Sequence, residues 1–316
     1  MNIAIPSHTA PQVATWALAP GGAGSRATGP GWLLGAAPAW LAPACNLLSV
    51  ARLLSEKTLR AHYQPIARLD TAEVVAHESL IRLPAGHVLR NPDELFHAAR
   101  EQGLLVQTEQ ACLDEGIRTW RGQGRGLLFV NLSAFAVVEM VERLGPAGIM
   151  RALEAAGVAP SSVVIEITEH DDAGDMPRLV RAVTHIRTCG VRFALDDFGE
   201  GRSNLRLWAE LRPDYVKIDK YFIAGIDANP VKVQIVRGLR RFSEAVGTHL
   251  IAEGVETGAE LRTVRDLGVP LGQGYGLGRP DPVPAQEVLP AAREAIAGTV
   301  SPFRRARPGL PAAPAA

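Results

Sequence analysis

The chain has 316 residues, and its 33 lysines and arginines balance its 33 aspartates and glutamates, so the formal net charge is zero. A neutral chain has no overall field that attracts a polyanion, which argues against a polymeric nucleic acid as partner. Its three cysteines are odd in number and far apart, which argues against a disulfide framework and favours a reducing, cytoplasmic compartment. The eight histidines show no zinc-site spacing, so a bound metal is expected to have oxygen ligands.

The two ends of the chain differ in composition from its centre. Residues 1–50 are rich in Ala, Gly and Pro and are nearly free of charge. The apolar stretch Gly31–Val50 is interrupted by Pro38 and Pro43 and follows no basic cluster, so we expect neither a membrane partner nor a signal peptide. We predict a low-charge extension over residues 1–50, a folded domain over 51–298 and a disordered tail over 299–316.

Strand-like and helix-like patterns alternate through the centre of the chain. Eight segments have strand character: Ala61–Ile66, Val74–Arg82, Leu127–Leu132, Ser162–Thr168, Val191–Leu195, Tyr215–Ile218, His249–Ala252 and Leu271–Tyr275. Helical patterns lie between most of them, and one begins at a capping box, Asn91-Pro92-Asp93-Glu94. This alternation predicts an α/β fold, a (β/α)8 barrel of the TIM type. A doubly wound open sheet competes, but it usually has a glycine-rich phosphate turn after its first strand, and none follows Ile66.

Two adjacent aspartates, Asp196 and Asp197, follow the apolar run Val191–Leu195, and a glycine comes two residues later. In an extended backbone, neighbouring side chains point to opposite faces. Two carboxylates that converge on one place are therefore expected just beyond the strand, where it gives way to a loop. Such close charges repel unless a cation lies between them, and two Mg2+-type ions bridged by carboxylates would supply that charge.

Polar side chains also stand near the ends of most of the other predicted strands. Seven of the eight strands carry them: Glu78, Asn131, Glu166, Glu169, Asp196, Asp197, Lys217, Asp219, Glu253, Glu256 and Gln273. Each alone has a simple structural explanation, such as a salt bridge for Lys217. In a barrel, however, the carboxyl ends of the strands surround a single mouth. Carboxylates around two hard cations, with one lysine nearby, suit phosphodiester hydrolysis by a metal-activated water that attacks in line.

Five short motifs, in this order along the chain, resemble those of the EAL domain family: Tyr63-Gln64-Pro65-Ile66, Glu78-Ser79-Leu80, Asp196-Asp197-Phe198-Gly199, Lys217-Ile218-Asp219 and Glu253-Gly254-Val255-Glu256-Thr257. The resemblance covers about residues 55–290. It implies a modified TIM barrel whose first strand is antiparallel to the others, and a homodimer. It also implies hydrolysis of cyclic di-GMP to the linear dinucleotide pGpG, with two Mg2+ or Mn2+ ions in each site.

The resemblance further implies roles for individual residues. Four would hold one metal ion: Glu78, Asn131, Glu166 and Asp196. Asp197 would bind the second ion, which Asp196 also reaches. Lys217 would contact the nucleophilic water, and Glu253 would act as its general base or orient it. Six more residues would bind the substrate or support the site: Gln64, Arg82, Glu169, Asp219, Glu256 and Gln273.

Two departures from the family pattern bear on activity. Ser79 replaces the alanine of the Glu-Ala-Leu triplet, which adds a hydroxyl and keeps the glutamate. Glu200 and Arg202 stand where the loop after the fifth strand usually has threonine and tyrosine. The altered loop leaves open an alternative, a catalytically silent receptor that binds cyclic di-GMP without cleaving it. A third hypothesis is a scaffold that acts through tryptophans of the N-terminal extension: Trp16, Trp32 and Trp40.

Overall fold

A computed structural model of the chain describes residues 50–121, 123–168, 175–199 and 204–298. Its centre is a closed barrel of eight strands, which neighbour one another in sequence order. The strands are β1 (Arg60–Arg68), β2 (Val74–Arg82), β3 (Leu127–Asn131), β4 (Val163–Thr168), β5 (Arg192–Phe198), β6 (Tyr215–Ile218), β7 (His249–Ala252) and β8 (Leu271–Gln273). The predicted (β/α)8 barrel is confirmed, and β2, β6 and β7 have the predicted bounds.

Strand β1 runs antiparallel to both of its neighbours, β2 and β8, whereas β2 to β8 run parallel. Only a short turn separates Arg68 from Val74, and a turn of this length can join antiparallel strands but cannot make a parallel crossover. The antiparallel first strand that the family resemblance implied is therefore confirmed. The pairing sets Gln64 opposite Glu78 and Ile66 opposite Gln273.

Helices surround the barrel. In the described parts of the chain they are α1 (Pro92–Glu101), α2 (Leu105–Trp120), α3 (Ala134–Ala156), α4 (Met176–Thr188), α5 (Asn204–Leu211), α6 (Lys220–Ile223), α7 (Pro230–Val246), α8 (Gly258–Asp266) and α9 (Pro290–Ala297), and residues 50–56 are also helical. Helix α3 bends at Gly145, which has a non-helical backbone ahead of Pro146. Within the described ranges, no helix has both the length and the apolar character needed to cross a membrane.

The capping box predicted at the start of α1 forms only in part. The Asn91 side chain accepts a hydrogen bond from the Glu94 backbone N–H at 2.9 Å, as expected of an N-cap. The Glu94 carboxylate, however, accepts from the backbone N–H of Arg90 at 2.8 Å, one residue before the cap. Both bonds stay within the helix terminus and connect it to no other element.

Apolar side chains fill one end of the barrel interior. Six strands contribute buried residues to this cluster, which we call the apolar layer: Ile66, Ala76, Phe129, Val164, Ala194 and Ile251. Leu127, Tyr215 and Leu271 pack against it, and the Phe129 and Tyr215 rings meet edge to face at 5.2 Å. A second and larger apolar cluster lies between the strands and the surrounding helices. The candidate site lies directly above this apolar layer, toward the carboxyl ends of the parallel strands.

Several predictions fall on residues outside the described ranges. They concern the N-terminal extension, the C-terminal tail and two loops: Trp16, Trp32, Trp40, Glu169, Glu200 and Arg202. The bounds of the three predicted regions and the roles of these side chains stay predictions.

Candidate active site

One polar side chain from each strand meets at the mouth of the barrel. Because side chains alternate between the two faces of a strand, a residue two places beyond the apolar layer also points into the barrel. In β4, for example, Glu166 follows Val164 by two residues, and Glu253, directly after the end of β7, follows Ile251 by two. We call the resulting set the polar layer: Gln64, Glu78, Asn131, Glu166, Asp196, Lys217, Glu253 and Gln273. All eight belong to the residues that the sequence predicted.

Lys217 lies at the centre of the polar layer and is almost completely buried. Its Nζ atom contacts four carboxylates: Glu253 Oε1 at 2.8 Å, Glu166 Oε1 at 3.0 Å, Asp196 Oδ1 at 3.0 Å and Glu78 Oε2 at 3.3 Å. Burial by itself would lower the pKa of Lys217, but these carboxylates raise it well above its usual value. Four carboxylates around a single ammonium group concentrate acidic side chains in a buried place.

Side-chain amides orient Glu78 within this cluster. The Asn131 Nδ2 donates to Glu78 Oε1 at 2.9 Å, and the Gln273 Nε2 donates to Glu78 Oε2 at 2.5 Å. Gln273 Nε2 also donates to Gln64 Oε1 at 3.1 Å, and Gln64 Nε2 in turn donates to the Gly278 carbonyl at 3.2 Å. Burial would raise the pKa of Glu78, but Lys217 and these amides lower it, so this carboxylate stays ionised.

The carboxylates form two groups of three, each with oxygen atoms within 4.8 Å of one another. One group is Glu78, Glu166 and Asp196, and the other is Asp196, Asp197 and Glu253, so Asp196 belongs to both. Glu253, which the resemblance assigned to the water, is thus also placed where a metal ligand would be. The geometry is compatible with two cations that share Asp196.

Glu166 provides the test of whether a cation fits. Its side chain is fully buried, and its Oε2 has no hydrogen-bond partner among the described residues. Burial, followed by the neighbouring carboxylate of Glu78, raises the pKa of Glu166 well above its ordinary value. A buried, unpartnered carboxylate oxygen among like charges is stabilised by a hard cation with oxygen ligands, so the residues present fit a divalent metal ion.

The aspartate pair lies inside strand β5 and not beyond its end, which corrects the prediction. Strand β5 continues to Phe198, and its register with β6 shifts between Leu195 and Phe198. Asp197 has a left-handed φ of 52°, and its backbone N–H donates to Asp196 Oδ1 at 3.0 Å. An irregularity of this kind interrupts the alternation of side chains, which is how two neighbouring carboxylates reach one mouth from within a strand.

Three of the predicted supporting residues lie outside the polar layer. Arg82 Nη1 donates to the Ile81 carbonyl at 2.9 Å, and Arg82 lines a cavity of about 170 Å3 that Asn131 also lines. Asp219 caps α6 by accepting from the Tyr221 backbone N–H at 2.8 Å. The side chain of Glu256 is exposed in the loop after β7.

A larger cavity, of about 300 Å3, lies away from the mouth, between residues 53–59, α2 and α3. Its lining is mainly apolar and includes Leu54, Leu113 and Leu153. None of the predicted site residues lines it, so the polar layer, and not the larger cavity, defines the candidate site.

One buried acidic residue near the mouth, Glu260, was not predicted from the sequence. Its carboxylate accepts hydrogen bonds from backbone N–H groups in two different loops. The available signal was the spacing Thr257-x-x-Glu260, which is that of a capping box and is present in α8. That spacing predicts the start of a helix, but it does not predict the bond to Gly225 in the other loop.

The EAL domain family model matches residues 48–280, a range that contains every predicted site residue. The chain therefore belongs to the EAL domain family.

Known relatives are longer proteins. The chain is 30% identical over 251 residues to the bifunctional diguanylate cyclase/cyclic di-GMP phosphodiesterase MucR of Pseudomonas aeruginosa, which covers 77% of this chain and 36% of that protein. It is 31% identical over 245 residues to the cyclic di-GMP phosphodiesterase NbdA of the same organism, covering 74% of this chain and 30% of that protein. The chain thus spans about a third of the length of the curated relatives it matches.

Solved structures with the same fold include complexes with cyclic di-GMP. The PaMucR phosphodiesterase in complex with c-di-GMP has a TM-score of 0.66 and 29% identity, covering 76% of this chain and 98% of that one. BlrP1 of Klebsiella pneumoniae, in complex with manganese and c-di-GMP, has a TM-score of 0.64 and 29% identity, covering 71% of this chain and 56% of that one.

Proposed function

We propose that this protein hydrolyses cyclic di-GMP to linear pGpG with the help of two Mg2+ or Mn2+ ions. The observation that carries the proposal is the presence of two sets of three carboxylate residues, which share Asp196 and lie around the buried Lys217. Membership of the EAL family and the cyclic di-GMP phosphodiesterase activity for which MucR and NbdA are named support the choice of substrate.

Five residues would hold the two ions: Glu78, Asn131, Glu166, Asp196 and Asp197. Since Asn131 donates its Nδ2 to Glu78, its carbonyl oxygen is the atom it would offer to a cation. When bound, such ions lower the pKa of water to near neutrality and stabilise charge on phosphate oxygens. The excess of carboxylates over cationic side chains in the polar layer is the reason that the protein would need them.

The protein's own groups would bind the substrate and handle the proton. Glu253 is the general base in this proposal, and its contact with Lys217 at 2.8 Å keeps its carboxylate directed into the mouth. Lys217, the only cation in contact with these four carboxylates within the described ranges, would donate to the attacking water and orient it. Arg82 and Gln64 would contact the phosphate and sugar, while Gln273 and Glu256 would support the site.

The deciding experiment incubates purified protein with cyclic di-GMP and Mg2+, Mn2+ or Ca2+ and separates the products by chromatography. We expect pGpG with Mg2+ or Mn2+ and suppression by Ca2+, because Ca2+ takes longer bonds and more ligands. The Asp196→Asn variant changes the one residue that both sets of carboxylates share, so it should be inactive. Activity that remains in this variant would reveal a contaminating phosphodiesterase. Binding of cyclic di-GMP without any product would identify a receptor instead, and equal turnover with Ca2+ would contradict the two-metal proposal.

The cellular setting is also a proposal. We place the protein in the cytoplasm, supported by the free thiols of Cys112 and Cys189. A homodimer is proposed from the family resemblance alone, and light scattering of the purified protein tests it.

A further inference from the structure

The loop after β7, residues 253–257, carries Glu253 and Glu256 and is held on both sides by its neighbours. On the β6 side, the Glu253 backbone N–H donates to the Ile218 carbonyl at 3.1 Å. On the β8 side, the Val255 backbone N–H donates to the Gln273 carbonyl at 3.0 Å. We call this segment the β7 loop. Its position decides where the Glu253 carboxylate lies relative to the rest of the polar layer.

The β7 loop also lies closely against the segment that follows β6. Gly254 has a φ of 62°, and a Cβ atom placed on it would lie only 2.5 Å from the Cβ atom of Lys220. A side chain at position 254 would therefore push the two segments apart as well as strain the backbone. The close approach indicates that the β7 loop and residues 220–225 have to keep one relative position.

A single buried carboxylate, that of Glu260, joins these two segments. Its Oε2 accepts from the backbone N–H groups of Thr257 at 2.9 Å and of Glu256 at 3.1 Å, both in the β7 loop. Its Oε1 accepts from the backbone N–H of Gly225 at 2.8 Å, which lies 35 residues earlier, after α6. Both oxygen atoms are thus occupied by main-chain donors from two different strand-to-helix connections.

A helix cap alone does not account for this arrangement. In a capping box the acidic side chain returns to the N-cap N–H, and the bond between Glu260 and Thr257 already does this. Glu94 at the start of α1 shows the simpler case, because its carboxylate contacts a single residue, Arg90 just before the helix, through the backbone N–H and the side chain. The bond to Gly225 does not cap α8, and its consequence is instead to connect the β7 loop to the segment that follows α6.

Glu260 is well suited to accept all three bonds. Burial would raise the pKa of its carboxyl, but the N–H groups of Gly225, Thr257 and Glu256 together lower it, so the group stays ionised. An ionised carboxylate only accepts hydrogen bonds, which matches three backbone donors. These bonds complete a closed set of connections. From Lys217 the chain continues through Asp219 and α6 to Gly225, which bonds to Glu260. Glu260 in turn bonds to the β7 loop, whose Glu253 contacts Lys217.

We propose that Glu260 is a positioning residue, which sets the place of Glu253 relative to Lys217 by joining Gly225 to the β7 loop. The inference rests on the proposed function for its effect on hydrolysis, but its effect on metal binding can be measured separately. Glu260 touches neither the substrate nor the carboxylate cluster in this role, and it acts through the main chain.

The chain offers a matched pair of variants for the test. Glu260→Gln keeps the size of the side chain but replaces one acceptor oxygen with an NH2 group, which then faces a backbone N–H donor. Thr257→Ala removes the other half of the capping box, the hydroxyl that accepts from the Glu260 N–H at 3.2 Å, and leaves the three backbone donors to the carboxylate, including Gly225, in place. Both variants weaken the start of α8, and only the first breaks the connection between the two segments.

Four quantities are measured for both variants: the melting temperature, the affinity for Mn2+ by titration calorimetry, and kcat and KM for cyclic di-GMP. We expect both variants to lower the melting temperature by roughly 2–4 °C, the effect of one lost cap. Glu260→Gln alone should weaken Mn2+ binding about 10–100-fold, the range for residues that orient metal ligands, and lower kcat more than it changes KM. Hydrogen exchange should show that the Gly225 amide loses protection in this variant only.

The inference is overturned if Glu260→Gln and Thr257→Ala have the same Mn2+ affinity and the same kcat, because Glu260 is then only a helix cap. Should Glu260→Gln not fold, Glu260→Asp takes its place, since it keeps the charge but is too short to reach both segments, and the same outcomes apply. If the wild type binds Mn2+ but does not hydrolyse cyclic di-GMP, the proposed function fails, while the Mn2+ comparison still decides the role of Glu260.

Discussion

The apolar layer and the polar layer of the barrel are formed by the same strands, two residues apart, and yet they have opposite physical character. Phe129, Val164 and Ile251 in the apolar layer are fully buried among other hydrocarbon groups. Glu166 and Lys217 in the polar layer are buried to nearly the same degree but have ionisable side chains. A buried apolar side chain contributes roughly 1.5–3 kcal/mol to stability, whereas clustered carboxylates raise one another's pKa and oppose folding.

Stability and chemistry are thus separated along the barrel axis and not between different strands. Each strand places its stabilising residue at one level and its polar residue one step nearer to the mouth. Active sites commonly reduce the stability of the fold that carries them. Substitutions in the two layers should therefore have effects of different kinds.

The largest effect is expected from Phe129→Ala in the apolar layer. Loss of a fully buried phenyl ring should lower the free energy of unfolding by about 3–5 kcal/mol, because it removes apolar contacts and leaves a cavity. Denaturant unfolding measures this change. Phe135→Ala, at a position that is 57% exposed, is the matched control and should change stability by no more than about 0.5 kcal/mol. Equal losses at the two positions would contradict the assignment of the apolar layer as core.

In the polar layer, Glu253→Ala should lower the turnover rate by a factor on the order of 100 or more, the range for loss of a general base. Binding of cyclic di-GMP should largely remain, because Glu253 serves the water more than the dinucleotide. Steady-state kinetics and a binding titration measure the two effects. Glu210→Ala, which removes an exposed glutamate on α5, should leave both unchanged. A near wild-type rate for Glu253→Ala would mean that another group takes the proton.

Glu166→Gln should separate metal binding from stability. The pKa of Glu166 is raised in the folded protein. Its ionisation therefore opposes folding once the pH exceeds the pKa that Glu166 has in the unfolded chain. Without metal at neutral pH the variant should therefore be at least as stable as the wild type. With Mn2+ at about 100 times its dissociation constant, the wild type should gain about 2.7 kcal/mol, and the variant should gain much less.

Thermal unfolding with EDTA and with Mn2+ measures the Glu166→Gln prediction. Glu154→Gln, at an exposed position on α3, is the control and should respond to Mn2+ as the wild type does. If Glu166→Gln is stabilised by Mn2+ to the full wild-type extent, Glu166 is not a metal ligand.

The smallest effect is expected from Glu200 and Arg202, the two residues that depart from the usual loop sequence of the family. Glu200→Thr combined with Arg202→Tyr restores the residues that are usual in the family and should change the rate only a few-fold. An exposed Glu–Arg contact contributes at most about 1 kcal/mol, so it can bias the loop but hardly fix it. Chromatographic assay of both proteins measures the change. A wild type that binds without cleaving, together with a double variant that cleaves, would establish the receptor hypothesis.

Much of this architecture is readable from the sequence, because it depends on local patterns. Alternating apolar residues predicted eight strands, and Tyr215–Ile218 and His249–Ala252 have the predicted bounds. The short gap between Ile66 and Val74 was also a readable signal that the first strand is antiparallel, although the prediction itself came from the family resemblance. The residues of the polar layer were predicted from polar groups near the strand ends and from the family motifs. Their spacing of two residues from the apolar layer is consistent with the alternation of side chains along a strand.

Tertiary structure alone decided how these residues meet. Lys217 contacts Glu78 across 139 residues of sequence, and Gln273 contacts Gln64 across 209, and no local pattern encodes such pairs. The irregularity at Asp197 depends on how β5 pairs with β6, so the sequence placed the aspartates beyond the strand when they lie within it. The bond between Glu260 and Gly225 exists only because two strand-to-helix connections lie side by side at the barrel mouth. Residue types and their spacing are local properties of a chain, whereas the closure of the barrel determines which of them become neighbours.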